Sequence, residues 1–93
     1  MLSQFPINLE KVSKEDKDKE ILRIGMIAEL DAVSLYEQLA SSTNNENIKK
    51  VMLDIAKEEK THVGEFEALL LKLDKEQEKE NEEGKKEVEK LTS

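Results

Sequence analysis

IKKVMLDIAKEEKTHVGEFEALLLKL, residues 48–73, decides the fold. Read at alternating steps of four and three, it gives the row Ile48, Met52, Ile55, Glu59, His62, Phe66, Leu69, Leu73. Helical faces repeat at those steps, so the row predicts one stripe of one long helix. Its members are apolar except for Glu59 and His62, which sit side by side in the middle. Upstream, the row Leu22, Met26, Glu29, Val33, Tyr36, Ala40 follows the same spacing, and a single carboxylate again interrupts an apolar seam.

Between the two rows, Ser41 to Asn45 is a cluster of uncharged polar residues and reads as a turn. Thr43, with Glu46 three residues later, predicts a capping box for the second helix, which runs to about Leu73. Ser13, followed by Glu15 and Asp16, predicts the start of the first helix, which ends near Ala40. Gly25 lies inside that first helix at a cost of roughly 1 kcal/mol relative to Ala. Folding the chain at residues 41–45 makes an antiparallel hairpin, in which residues at one level have numbers with a constant sum. Leu22 then faces Phe66, Met26 faces His62, Glu29 faces Glu59, Val33 faces Ile55, and Tyr36 faces Met52. Glu29, Glu59 and His62 therefore converge at one height in the seam.

A carboxylate in an apolar seam is costly unless it is compensated: unpaired, it costs several kcal/mol or takes up a proton. Neither row contains a Lys or Arg to neutralise Glu29 and Glu59, and a bound cation would do so. Glu59 and His62 are also spaced to share a metal, because residues three apart on a helix are neighbours on its surface. Di-iron bundles use a Glu-x-x-His unit on each of two helices and a lone Glu on each of two others. This chain carries half of that set. Two copies about a twofold axis would supply four Glu and two His, and would turn two hairpins into a four-helix bundle. The oxygen and nitrogen donors suit iron, with manganese or zinc as substitutes. The competing reading makes these residues buried polar devices that set helix register, as in coiled coils. It accounts for one polar residue in a seam better than for three at one level.

Size and composition point the same way. A chain of 93 residues is a single domain, and one this small is marginal alone, so oligomers or metals commonly support it. It has no Cys, which excludes disulfides and thiolate metal sites. Charged residues make up 40% and aromatics 3%, a balance that fits long solvated helices and a thermophilic origin. The net charge of −7 opposes nucleic-acid binding and suits metal cations. There is no long apolar run for a membrane span and no secretory signal pattern, so we read the protein as cytoplasmic. No glycine-rich phosphate loop and no activated nucleophile is visible.

The chain divides into three parts: a leader over residues 1–12, a helical hairpin over 13–73 and a charged segment over 74–93. In the leader, Phe5, Pro6, Ile7 and Leu9 either fray or dock on a partner. The charged segment reads as a solvated helical tail or linker, or as a short third helix that packs on a neighbour through Val88 and Leu91. The fold class is all-α: an antiparallel two-helix hairpin with a short charged C-terminal helix, dimerising into a ferritin-like four-helix bundle.

Glu-Leu-Asp-Ala-Val-Ser-Leu-Tyr-Glu-Gln at 29–38 and Glu-Glu-Lys-Thr-His-Val-Gly-Glu-Phe at 58–66 resemble the encapsulated ferritins over roughly the middle half of the chain. The resemblance implies a ferroxidase whose short subunits pair to build a di-iron centre at the dimer interface, the dimers forming a ring, commonly a decamer. Glu29, Glu59 and His62 match the family's iron ligands, with the Glu59 carboxylates bridging two metals. Tyr36 matches an aromatic position beside that centre, although a Tyr in a core row is more often simple packing. Asp31 and Glu58 match acids of the surface through which iron arrives, although by themselves they look like ordinary solvated charges. Leu35 stands where relatives carry a larger aromatic residue. The resemblance further implies an encapsulin shell as partner, inside which the oxidised iron is stored. The end of the chain, Glu-Val-Glu-Lys-Leu-Thr-Ser, has no clear apolar targeting peptide, which leaves a separate cargo protein and a fusion to the shell both open. The alternatives are a rubrerythrin-like peroxide reductase, which usually carries the full ligand set in one chain, and a purely structural helical-hairpin adaptor.

Overall fold

Two long helices, α1 (Lys17–Ser42) and α2 (Glu46–Leu73), run antiparallel and pack along their length, and a third, α3 (Lys75–Thr92), follows after a single residue. This computed structural model describes residues 8–93, and among them there is no strand. At 1.5 Å per residue, α1 and α2 are each about 40 Å long. A short 3-10 turn, Leu9–Lys11, precedes them. Of the leader residues singled out above, Leu9 lies in that turn, while Phe5, Pro6 and Ile7 lie outside the described residues.

The helix ends differ from the sequence reading in three places, each for a local hydrogen-bonding reason. The first helix begins at Lys17 rather than after Ser13. The Ser13 hydroxyl does accept from the Asp16 N–H, at 3.3 Å, and donates to the Asp16 carboxylate, at 2.9 Å. These bonds close one isolated turn ahead of the helix. The far end of α1 continues to Ser42, because the hydroxyls of Ser41 and Ser42 donate back to the carbonyls of Glu37 and Gln38 and stay in the helix. The turn thus shrinks to Thr43, Asn44 and Asn45. The cap of α2 is Asn45 rather than a Thr43–Glu46 box: its Oδ1 accepts from the N–H groups of Asn47 and Ile48 at 3.0 and 3.1 Å. Thr43 instead accepts from the N–H of Asn45.

Asp74 makes the corner between α2 and α3. Its N–H donates to the Leu70 carbonyl at 2.8 Å, closing α2, and its carboxylate accepts from the Gln77 N–H at 3.0 Å, capping α3. From α1, Arg23 donates to Asp74 at 3.0 Å and to Glu20 at 2.6 Å. Asn81 on α3 reaches Glu67 on α2 at 3.2 Å, supported by Gln77. The charged segment is therefore helical and pinned at its beginning, while Val88 and Leu91 near its end stand exposed.

Among the described residues, only Val33, Ala40, Ala56 and Leu70 are buried apolar ones. A helix with one neighbour can bury only a narrow stripe. On α2 that stripe runs through Ala56 and Leu70, about 40° round the helix from Met52 and Phe66 of the predicted row, and Ile48, Leu69 and Leu73 of that row remain about half exposed. The Cα radius of gyration is 16.5 Å, against roughly 12 Å for a compact chain of this length.

The Gln77 N–H, helped by nearby Lys19 and Arg23, holds the Asp74 carboxyl below the usual carboxylate range. With its folded value depressed, its contribution is fully present above the unfolded value of about 3.9 and is lost as pH falls through the lower folded value. Hydrogen exchange at the Gln77 amide should therefore stay protected from neutral pH to about pH 5 and lose protection below about pH 4. In Asp74→Asn, which caps without a charge, that dependence should flatten. An identical acid loss in the Asn variant would show that another group governs the corner.

Candidate metal centre

α1 contributes Glu29 and α2 contributes Glu59 and His62, and one ligand atom from each lies within 4.8 Å of the others. The hairpin turn sets this convergence: with three residues between the helices, Glu29 falls level with Glu59, and His62 follows one turn along the same stripe of α2. The three residues that the sequence reading placed at one height are together.

The internal bonding of the cluster is incomplete. His62 Nδ1 lies 3.4 Å from Glu29 Oε2 and 3.4 Å from Glu59 Oε2. An N–H···O hydrogen bond is normally about 2.7–3.2 Å long, and Nδ1 carries one proton at most. It cannot satisfy both carboxylates, and both contacts are long. Glu29 Oε2 is buried and has no hydrogen-bond partner; the imidazole stands near it without bonding it. No Lys or Arg makes an ion pair with Glu29 or Glu59 among the described residues. Two carboxylate oxygens and an imidazole nitrogen, converging with an orphaned oxygen among them, form a donor set that fits a divalent metal such as iron, manganese or zinc. The cluster is not closed within one chain: His62 is 44% exposed, on the same open row as Ile48, Leu69 and Leu73.

The remaining candidate residues lie outside the cluster. Tyr36 is half-buried, two turns along α1 from Glu29. Glu58 is exposed, as an ordinary solvated charge would be. Asp31 departs from that expectation: it is 8% exposed and engaged within the fold. Leu35 is exposed. One contact beside the cluster escaped the sequence reading, that of the Phe66 ring against the backbone of Gly25. Its signal was a glycine inside a helix, where glycine is disfavoured.

Comparison with known proteins bears on the family and the fold. The Rubrerythrin family model matches residues 20–92. A ferritin-like–encapsulin shell fusion protein of Pyrococcus furiosus is 53% identical across 99% of this chain, which spans 27% of that protein. An encapsulin nanocompartment cargo protein, EncC of Myxococcus xanthus, is 38% identical over 60% of this chain and 43% of its own length. The match thus spans less than half the length of each of these curated relatives. The crystal structure of an encapsulated ferritin domain from Pyrococcus furiosus superposes with a TM-score of 0.84 at 52% identity, covering 99% of this chain and 96% of that one.

Leaving a buried acceptor unsatisfied costs about 1–3 kcal/mol, and replacing buried ionic groups by apolar ones of similar size is often stabilising. Glu29→Met should therefore raise the melting midpoint of the metal-free protein, by about 4–8 °C for each kcal/mol recovered. It should also abolish any rise in that midpoint on adding metal. A lower metal-free midpoint would show that Glu29 supports the fold by itself.

Proposed function

Because this chain belongs to the encapsulated ferritin family, within the rubrerythrin-like proteins, we propose that it is a ferroxidase that oxidises Fe(II) to Fe(III) at a di-iron centre shared between two copies. The observation that carries this reading is the half-set of ligands, Glu29, Glu59 and His62, converging on the open side of the hairpin with one buried oxygen unsatisfied. A twofold partner would bring the matching half, giving four carboxylates and two imidazoles. The surface supports pairing as well. The chain exposes 7334 Å², about a third more than the roughly 5,500 Å² of a compact monomer of its mass. Exposed apolar residues flank the cluster along α2, as a further helix pair would require.

Fe(II) is the substrate. Glu29 and Glu59 would hold it through carboxylate oxygens and His62 through Nδ1, the ring atom that faces them. Carboxylates stabilise the harder Fe(III) product more than Fe(II), which favours electron loss at this site. Dioxygen or peroxide would take the electrons. The net charge of −7 draws cations toward the surface, with the exposed Glu58 as an acid of that approach and Tyr36 on the same helix as Glu29; the burial of Asp31 removes it from that surface. Manganese or zinc would occupy the same donors without supporting the reaction in the same way.

The relatives are described as encapsulin fusion and cargo proteins. On that basis the oxidised iron would pass to storage inside an encapsulin shell in the cytoplasm, with the dimers arranged in a ring such as a decamer. No helix among the described residues is long and apolar enough to cross a membrane. The match to the Rubrerythrin model favours one second reading, reduction of peroxide with iron as the electron carrier.

Stopped-flow oxidation of Fe(II) tests both readings. The parent protein should oxidise Fe(II) rapidly in air, and Glu29→Ala and His62→Ala should remove the fast phase, a loss of roughly 10²-fold or more. Unchanged initial rates in Glu29→Ala would remove the site assignment. A fast phase with hydrogen peroxide and none with dioxygen would favour the peroxide reading.

A further inference from the structure

Gly25 has no backbone reason to be glycine. It lies inside α1, and no described residue adopts a positive φ. Glycine is among the least favourable residues in a helix interior, so its presence calls for a close approach. That approach is visible: a Cβ at Gly25 would meet three carbons of the Phe66 ring, Cδ2, Cε1 and Cε2, each at 3.3 Å. The other two glycines differ, since a Cβ at Gly64 or Gly84 would meet nothing within 4 Å.

The location matters more than the tightness. Gly25 precedes Glu29 by one helical turn on α1, and Phe66 follows His62 by one turn on α2. The ring-on-backbone contact is thus the next layer of the hairpin beyond the cluster, on both helices at once. We infer that Gly25 and Phe66 are positioning residues: the Phe66 ring resting on bare backbone sets the α1–α2 separation that places Glu29 opposite Glu59 and His62. A methyl group at residue 25 forces its neighbour to give by a few tenths of an ångström. Metal–ligand distances tolerate only about 0.2 Å, so such a displacement matters at the cluster although it is small for the fold. This inference rests on the metal-site reading above, and its test separates the two.

The probe is Co(II), titrated into the full 93-residue protein and followed by its visible absorption bands, which report ligand geometry independently of turnover. Gly25→Ala should stay folded, with a metal-free melting midpoint equal to or above the parent's, because Ala favours helix. Its Co(II) affinity should fall by roughly tenfold or more, the range seen when residues that orient ligands are changed, and its absorption bands should change shape. Phe66→Leu alone should also weaken Co(II) binding, since the spacer is gone. The double variant Gly25→Ala/Phe66→Leu should recover most of the affinity and the parent spectrum, because the methyl group fills the space vacated by the ring. Parent-like affinity and spectrum in Gly25→Ala, or in Phe66→Leu, would overturn the positioning role and leave the metal site standing. A parent protein that takes up no Co(II) would overturn both.

Discussion

Like charges repel, and Glu29 and Glu59 approach one another across the hairpin with only His62 to mediate. The imidazole Nδ1 stands 3.4 Å from an oxygen of each, and with one proton at most on that atom it cannot bond both carboxylates. Surface pairs elsewhere on the chain are joined directly, as Lys60 is to Glu37 at 3.3 Å and Arg23 to Glu20 at 2.6 Å. Such exposed pairs contribute little to stability. The seam cluster differs because Glu29 Oε2 is buried without a hydrogen-bond partner and no Lys or Arg pairs with Glu29 or Glu59 among the described residues. Much else about the hairpin is consistent with holding it: the three-residue turn that sets the level, the open row beside His62, and the ring of Phe66 on Gly25.

The second constraint is size. Two helices give each other one neighbour, so among the described residues the buried apolar core is confined to Val33, Ala40, Ala56 and Leu70. A core so small leaves a lone hairpin marginal, and partners or metals are the usual supplements for small cores. A centre built across a dimer would supply both, since binding to the assembled state alone stabilises that state by mass action. Metal binding and assembly would then be one equilibrium, with the exposed row on α2 as its surface. α3 stands partly apart from this: the Asp74 corner and the Asn81–Glu67 contact hold its start, and its charged remainder is solvated.

The hairpin and its cluster were legible in the sequence because both depend on helical periodicity and one turn. The stripe from Ile48 to Leu73 and the constant-sum pairing required only that the helices be straight and antiparallel. What escaped depended on short-range hydrogen bonding and on rotation about the helix axis. Thr43, Asn44 and Asn45 are all plausible caps, and the choice of Asn45 follows from Ser41 and Ser42 remaining in α1. Ser13 has the composition of a cap, yet it closes a turn one step before the helix. Ala56 and Leu70 lie about 40° round the helix from Met52 and Phe66 of the predicted row, a shift smaller than an apolar pattern resolves. Asp31 reads as a surface charge because its burial leaves no mark on the apolar periodicity. Gly25 was visible as an anomaly, but its partner Phe66 emerged only from the packing.

The central claim is that the cluster is half of a shared centre, and stoichiometry tests it most directly. Fe(II) would be titrated anaerobically into the protein and the species counted by native mass spectrometry. The account predicts two irons arriving together on each dimer, with metal shifting monomers toward dimers, as required of a site completed across an interface. Iron bound loosely to monomers, or not bound, would contradict it and would make the seam carboxylates devices of helix pairing in an adaptor.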